Sequence, residues 1–407
     1  MKRGDHQGGR TITNRWTVLL SFTLLAGMSQ LLWLNFAPLI TTLEERYHVS
    51  EDSMNLLLMV FPLLYVLLSV HAGIIIDRRG YRFGVGLGGW LMAIFACVRV
   101  FDQQFIFLVI GHIGIAIGQP YVMNGITKLV ADWFPRDRQA MATGLGTVGM
   151  FAGMAIALAA TPILVTATNL QVAMIIFAGL TVLAAFFFWL VAHPNPKGNQ
   201  QQAVSAVRWR DLLPLLRNRQ LLLVCIIAFL ALGFFNGVTS WLEPILKPYG
   251  VDAEQAGLVG GMLIICGMIG AAIIPALSDR YRRRKPLLIV CCAVALLLTY
   301  PLCTTGNMGA LLLVSGFLGF MFLPGYALLL SMTEEIAGEQ HAGEATGLMM
   351  LAGNLGGVLV IAAMQWIKGD GASWLPAVYL LIAILLVSTV LAWNTKDRQK
   401  RLAGKRS

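Results

Sequence analysis

Gly73-Ile74-Ile75-Ile76-Asp77-Arg78-Arg79-Gly80-Tyr81-Arg82 closes one long apolar run, and Asp279-Arg280-Tyr281-Arg282-Arg283-Arg284 closes another 202 residues later. A second pair, Ala142-Thr143-Gly144-Leu145 and Ala345-Thr346-Gly347-Leu348, recurs at an offset of 203. A chain that says the same thing twice at half its length is a tandem duplication. In an apolar chain, two similar halves are the signature of a membrane protein that rocks one half against the other around a site between them.

Composition sets the solvent. Hydrophobic residues make up 57% of the 407 and charged residues 12%, and the mean hydropathy is +0.73. A soluble domain carries about 45–50% apolar and about 25% charged residues, so this chain is an integral membrane protein. A net charge of +10 is a footprint that nucleic-acid binders share, but here the basic residues sit in short loops beside apolar spans. There they read as orientation signals, and no nucleic-acid partner is expected. The six cysteines all fall inside apolar runs. They have neither metal spacing nor a disulfide framework and read as small buried hydrophobes. No Gly-x-x-x-x-Gly-Lys-Ser/Thr loop occurs, so neither a nucleotide, another cofactor nor a metal is expected. Residues 1–15 are polar and do not read as a cleavable signal peptide.

A bilayer-spanning helix needs about 20 mostly apolar residues. Twelve such stretches are predicted, at 16–40, 54–76, 83–101, 104–131, 139–165 and 169–192, then 219–247, 254–278, 286–304, 308–333, 343–367 and 373–393. The expected fold is an all-α membrane protein with 12 transmembrane helices in two pseudo-symmetric six-helix bundles. Residues 1–192 form the N-terminal bundle, 193–218 a cytoplasmic linker, and 219–407 the C-terminal bundle with a basic cytoplasmic tail. The linker opens on the helix stop His193-Pro194-Asn195-Pro196. It ends in Arg208-Trp209-Arg210-Asp211-Leu212-Leu213-Pro214, a basic amphipathic piece suited to the inner membrane surface. With the termini, linker and Asp-Arg loops on one side, only Arg46, Arg99, Lys247 and Lys368 of the 30 basic residues fall on the other. That bias predicts a multi-pass protein of the plasma (bacterial inner) membrane with both termini cytoplasmic. Glycines in span 5 (Gly144, Gly146, Gly149, Gly153) and span 11 (Gly353, Gly356, Gly357) predict close helix packing.

The pattern resembles the major facilitator superfamily. Gly73 to Arg82 matches that family's loop 2–3 signature, the second copy ending Asp279-Arg280 lacks both glycines, and the resemblance covers roughly residues 14–395. It implies a central cavity and alternating access. Within the family, Gly118-Gln119-Pro120-Tyr121 followed by Lys128-Leu129-Val130-Ala131-Asp132-Trp133-Phe134-Pro135 is similar to the feline leukaemia virus subgroup C receptor-related branch, as is Trp33 in Leu32-Trp33-Leu34-Asn35. Members of that branch move choline, ethanolamine, related cations or haem. The resemblance implies that Trp33 is a cation-facing aromatic and Gln119 the polar residue of span 4, and it puts Asn354 where span 11 carries a Gln. The branch's span 7 aromatic falls on Asn236, where this chain departs from the pattern.

Asp77, Arg78, Arg82, Asp279 and Arg280 are expected to gate. A carboxylate at a span end can pair with an Arg across a helix junction or cap a neighbouring helix, and such a contact breaks as the bundles rock. Polar residues inside spans are costly and point to function. By depth, Trp33, Gln119, Asn124, Asn236 and Asn354 are the candidate substrate-binding residues. His112 and Glu243 are the candidate proton-coupling residues. Glu243 is also placed to pair with Lys247, four residues on along the same helix face, and Pro244 is expected to bend or break that helix. Tyr65, Tyr121, Phe235, Trp241 and Tyr326 are further aromatics for the cavity, whereas Trp366 and Trp374 suit a belt at the membrane interface.

These residues predict a secondary active or facilitative transporter of a small organic solute, with an organic cation of choline or ethanolamine type first. The alternative is a proton-coupled transporter of an organic anion or other metabolite. A membrane-embedded enzyme would need clustered acid, base or nucleophile residues. Only His112 and Glu243 qualify, in different halves, so no enzyme is expected. The expected partners are a small-molecule substrate and membrane lipid, and the chain is expected to work as a monomer.

Overall fold

The computed structural model describes residues 14–193, 217–281, 283–338, 341–369, 371 and 373–396. Most of the predicted linker, including its amphipathic piece at 208–214, and the basic tail beyond 396 lie outside the described residues.

Among the described residues all regular structure is helical. The first half holds α1 (Arg15–Leu34), α2 (Ile40–Tyr47), α3 (Glu51–Val98), α4 (Phe105–Met123), α5 (Gly125–Trp133), α6 (Arg136–Ala167) and α7 (Leu170–Val191). The second holds α8 (Arg219–Leu246), α9 (Ala253–Tyr281), α10 (Arg284–Thr304), α11 (Met308–Ala337), α12 (Ala342–Lys368) and α13 (Leu375–Asn394). Four of these helices start on an asparagine whose side chain takes up a free backbone N–H of the first turn: Asn14, Asn169, Asn218 and Asn307. An Asx N-cap in front of an apolar run is a strong start signal. Asn14 and Asn218 open the first helix of each half, so the duplication extends to the caps.

Among the described residues, eleven helices are long and apolar enough to cross a membrane. One of them, α3, carries two of the predicted spans, because Gly80 at φ 81° and ψ 161° turns the chain between them. Glycine reaches that conformation without strain, which gives the glycine of the loop signature a physical role. Pro244, by contrast, neither breaks nor ends its helix, since α8 continues to Leu246.

The halves are built alike. A side chain at Gly153 on α6 would run into the Gly27 carbonyl of α1, and one at Gly356 on α12 into the Phe229 carbonyl of α8. Gly153 and Gly356 are 203 apart, and Gly27 and Phe229 are 202 apart. The same backbone-to-backbone crossing therefore occurs once in each half. Between the halves, Gly257 of α9 packs on Leu158 and Pro162 of α6, and Gly357 of α12 faces Pro62 of α3. Among the described residues, the hydrogen bonds and ion pairs that join the halves all lie at the end away from the chain termini. The halves are joined at that end.

Candidate functional site

The closed end is a gate with two sides. On one, α2 meets α8. Glu243 accepts from the Thr41 hydroxyl at 2.5 Å and the Thr41 amide at 3.2 Å, and Lys247 reaches Glu45 at 3.0 Å. The expected Glu243–Lys247 pair does not form. Both side chains point across to the first half, because the tip of α8 stacks on α2 and leaves nearer partners there. On the other side, Lys368 of α12 bonds both oxygens of Glu51 on α3, at 2.7 and 2.6 Å, and Gln365 donates to the same carboxylate at 3.1 Å. The Lys368 ammonium also lies 5.2 Å from the Trp374 ring centre. Trp374 is 6% exposed and packs on Trp241 at 4.8 Å, so it is a buried brace and not part of an interface belt. Trp366, 83% exposed, suits that belt.

Below the gate the first half holds a column of rings. Trp33 stacks on Phe61 at 6.2 Å, Phe61 meets His112 edge-on at 4.7 Å, and His112 stacks on Phe36 at 5.4 Å. The Arg99 guanidinium lies 4.0 Å over the Phe36 ring. Arg99 is buried without a carboxylate partner and donates to the Leu32 carbonyl at 3.1 Å and to Asn35 Oδ1 at 2.8 Å. Leu32 is in the last turn of α1, where carbonyls lack helical partners. The cation therefore caps the point where the first span breaks between α1 and α2. The break follows from Pro38, which cannot donate in a helix and opens a 3-10 turn at Ala37–Leu39. His112, 1% exposed, is packed between Phe36 and Phe61 in this column.

The other candidates separate. Gln119 on α4 is buried. Asn124 accepts from the Tyr65 hydroxyl at 2.9 Å and donates to the Ser69 carbonyl and hydroxyl at 2.9 and 3.0 Å. His71 bonds the Tyr121 hydroxyl at 2.7 Å nearby. Asn236 on α8 is pressed against Gly357 of α12, with its Oδ1 sealed and unpaired. Asn354 turns back to the Met350 carbonyl of its own helix at 2.9 Å. Trp33 and His112 thus share one column, Asn236 packs at Gly357 of α12 near Pro62 of α3, and Asn124 belongs to a separate polar knot on α3 and α4.

At the termini end, the contacts of the signature residues among the described residues fall within their own halves. The Asp279 carboxylate takes Arg284 at 3.2 Å, and Arg284 also takes Glu335 of α11 at 2.6 Å. Asp77 lies in electrostatic reach of Lys128. Arg78 and Arg280 are exposed, and Arg82 lies 5.2 Å over the Trp189 ring. Tyr81 is the anchor that the sequence reading missed: its hydroxyl donates to the His193 carbonyl and accepts from Trp133 Nε1, both at 2.6 Å. Also missed were Thr41, Glu45, Glu51, Lys368 and Arg99. The signals existed, as an arginine in an apolar run for Arg99 and the repeat offset for Thr41 and Glu45.

A family model described as Major Facilitator Superfamily matches residues 22–361 and 249–407. The chain is 31% identical to an uncharacterized protein of Archaeoglobus fulgidus over 55% of its own length and 100% of that protein's. It is 24% identical to solute carrier family 49 member A3 of Xenopus tropicalis, covering 89% and 80%. With the choline/ethanolamine transporter FLVCR1 of Mus terricolor it shares 25% identity, covering 95% and 76%. A bacterial homologue of the human lysosomal transporter Spinster, solved inward-facing and unoccupied, superposes with a TM-score of 0.76 at 15% identity, covering 96% and 98%. The nucleoside transporter NupG gives 0.72 at 14%, covering 93% and 99%.

Proposed function

The chain belongs to the Major Facilitator Superfamily of transporters, and from that premise we propose that it moves a small organic cation of choline or ethanolamine type across a membrane by alternating access. The observation that carries the substrate class is the stack of Trp33 on Phe61, near the middle of the first spanning segment Arg15–Tyr47. A quaternary ammonium is held by ring faces, worth up to about 2 kcal/mol per ring when desolvated. Gln119 supplies a neutral dipole for the substrate's hydroxyl or amine. The names of the FLVCR relatives in mouse and zebrafish, both choline/ethanolamine transporters, support the same class.

The gate at Thr41–Glu243 and Glu51–Lys368 closes the side away from the termini, so the substrate reaches Trp33 from the termini side in this state. The lysine and arginine bias makes that side the cytoplasm, in a plasma membrane, with residues 1–192 and 219–407 as the rocking bundles. In the opposite state the two Asp-Arg loops close the cytoplasmic side.

The test is uptake of labelled choline by purified protein in liposomes. Trp33→Ala is expected to lower affinity about thirtyfold, the equivalent of one ring contact, while the protein stays monodisperse. Unchanged uptake kinetics in that variant would overturn the cation reading. A thermal shift with organic acids and none with choline would turn it to the anion alternative.

A further inference from the structure

The gate holds more acceptors than donors, and the surplus atoms are sealed. Glu44 Oε1, Asn55 Oδ1 and Gln365 Oε1 are buried without a hydrogen-bond partner among the described residues. Gln365 is 8% exposed. Its Nε2 is committed to Glu51, which leaves its oxygen unmatched inside the same cluster. Asn55 follows Glu51 by one turn of α3, on the same face.

The charges are unbalanced in the same sense. Glu44 on α2 lies within electrostatic reach of Glu51 on α3, Glu243 on α8, Lys247 just past its end, and Lys368 on α12. Each of these is already engaged: Lys368 with Glu51, Lys247 with Glu45, and Glu243 with Thr41. Arg46, the cation beside Glu44 on α2, is taken by Asp102 at 2.6 Å. Glu44 is the carboxylate left over, with two others facing it. A charge half-withdrawn from water, with one oxygen sealed and unpartnered, is costly. Among the described residues no group of three acidic, His or Cys side chains is arranged to hold a metal ion. A proton relieves both defects. It cancels the charge, and it converts one surplus acceptor into the donor that the cluster lacks.

We propose that Glu44 is a proton-binding site of this gate: its carboxyl is neutral while α2 is packed against α3 and α8, and returns its proton to water when the gate opens. The site rests on the transporter reading and adds a ligand to it. The closed gate binds the proton more tightly than the open one, so closure is favoured as pH falls on that side and is lost as pH rises. One proton allows at most about a tenfold change in the closed-to-open ratio per pH unit.

The experiment needs no substrate. Spin labels at Asp52→Cys and Tyr249→Cys, exposed residues at the gate end of the two halves, report closure by their separation. The background is Cys97→Ala with Cys266→Ala, since the remaining Cys225, Cys291, Cys292 and Cys303 are buried. In detergent, the short-distance population of the wild-type gate is expected to grow between about pH 8 and about pH 5, in the range where a perturbed carboxyl titrates. Glu44→Gln is expected to hold the gate closed across that range without a slope, and Glu44→Ala to lose the slope as well. A wild-type gate with no pH response would overturn the proposal. So would either variant if, while monodisperse, it kept the wild-type slope. A protein that shows the slope yet carries no choline would overturn the substrate reading and leave this site standing.

Discussion

Thr41 and Glu243 occupy equivalent positions of the two halves, 202 residues apart, and are hydrogen-bonded to each other. Glu45 and Lys247, at the same offset, are paired one turn further out. Residues that meet their own counterparts mark where the pseudo-twofold axis passes. Identical halves would set threonine against threonine and glutamate against glutamate there. The latch works because the two copies differ at these positions, giving donor to acceptor and cation to anion. The other gate contacts are not self-paired: Glu51–Lys368 is an ion pair between α3 and α12, whereas its pseudo-symmetric counterpart, α6 against α9, is small-residue packing around Gly257.

The latch predicts a shift of population. In Thr41→Val the hydroxyl donor to Glu243 is gone and the carboxylate keeps only the backbone amide. A hydrogen bond to a charged group contributes about 1.5–3 kcal/mol, so the closed gate is expected to weaken by about tenfold to a hundredfold relative to the open one. Distance measurements between spin labels at the two gate tips read this directly. A closed population equal to that of the wild type would remove Thr41 from the gate.

The ion pair on the other side predicts a rescue. Lys368→Glu places like charges together and is expected to favour the open gate, and so is Glu51→Lys. The double exchange is expected to recover closure, because the side chains face each other at 2.6 Å and partners in contact do not act additively. The separation of spin labels at Asp52→Cys and Tyr249→Cys is the readout. Additive opening in the double variant would show that the pair carries no coupling.

Much of this was legible in the sequence, and the reason is solvent. In lipid only a helix satisfies its own backbone, so apolar length gave the spans, and the repeated loops gave the two halves. Gly80 was visible in the loop signature, and its positive φ supplies the cause. The gate was not legible, because sequence spacing describes one helix at a time. It put Glu243 with Lys247 at i,i+4, whereas the structure sends both to α2. Likewise the sequence gives no sign that Phe36 and Phe61 pack against the His112 ring. Trp374 reads as a belt residue until Trp241 and Lys368 are found packed on it.

Gly80 predicts a local cost with a built-in control. At φ 81° and ψ 161° a side chain is strained whatever space surrounds it, by about 1–3 kcal/mol. Gly73 of the same signature is helical and has nothing within 4 Å of an added Cβ. Gly80→Ala is expected to lower the thermal unfolding midpoint in detergent, and Gly73→Ala to leave it unchanged or raise it. Equal effects at the two positions would remove strain as the reason for the glycine.

Arg99 predicts a link between the break in span 1 and the ring column. Its two bonds, to the Leu32 carbonyl and Asn35 Oδ1, fix the end of α1 one residue from Trp33. Lysine keeps the charge but not the fork geometry, so Arg99→Lys leaves one of these acceptors unpaired, at about 1–3 kcal/mol. If Arg99 served stability alone, the variant's folded fraction would bind the proposed organic-cation substrate like the wild type. Because Trp33 and Phe61 hold the same column as Phe36 under Arg99, the folded fraction is instead expected to show a raised KM with little change in maximal rate. Uptake of the proposed substrate, measured on monodisperse protein at matched density, separates the two outcomes, and an unchanged KM would detach Arg99 from the proposed substrate stack.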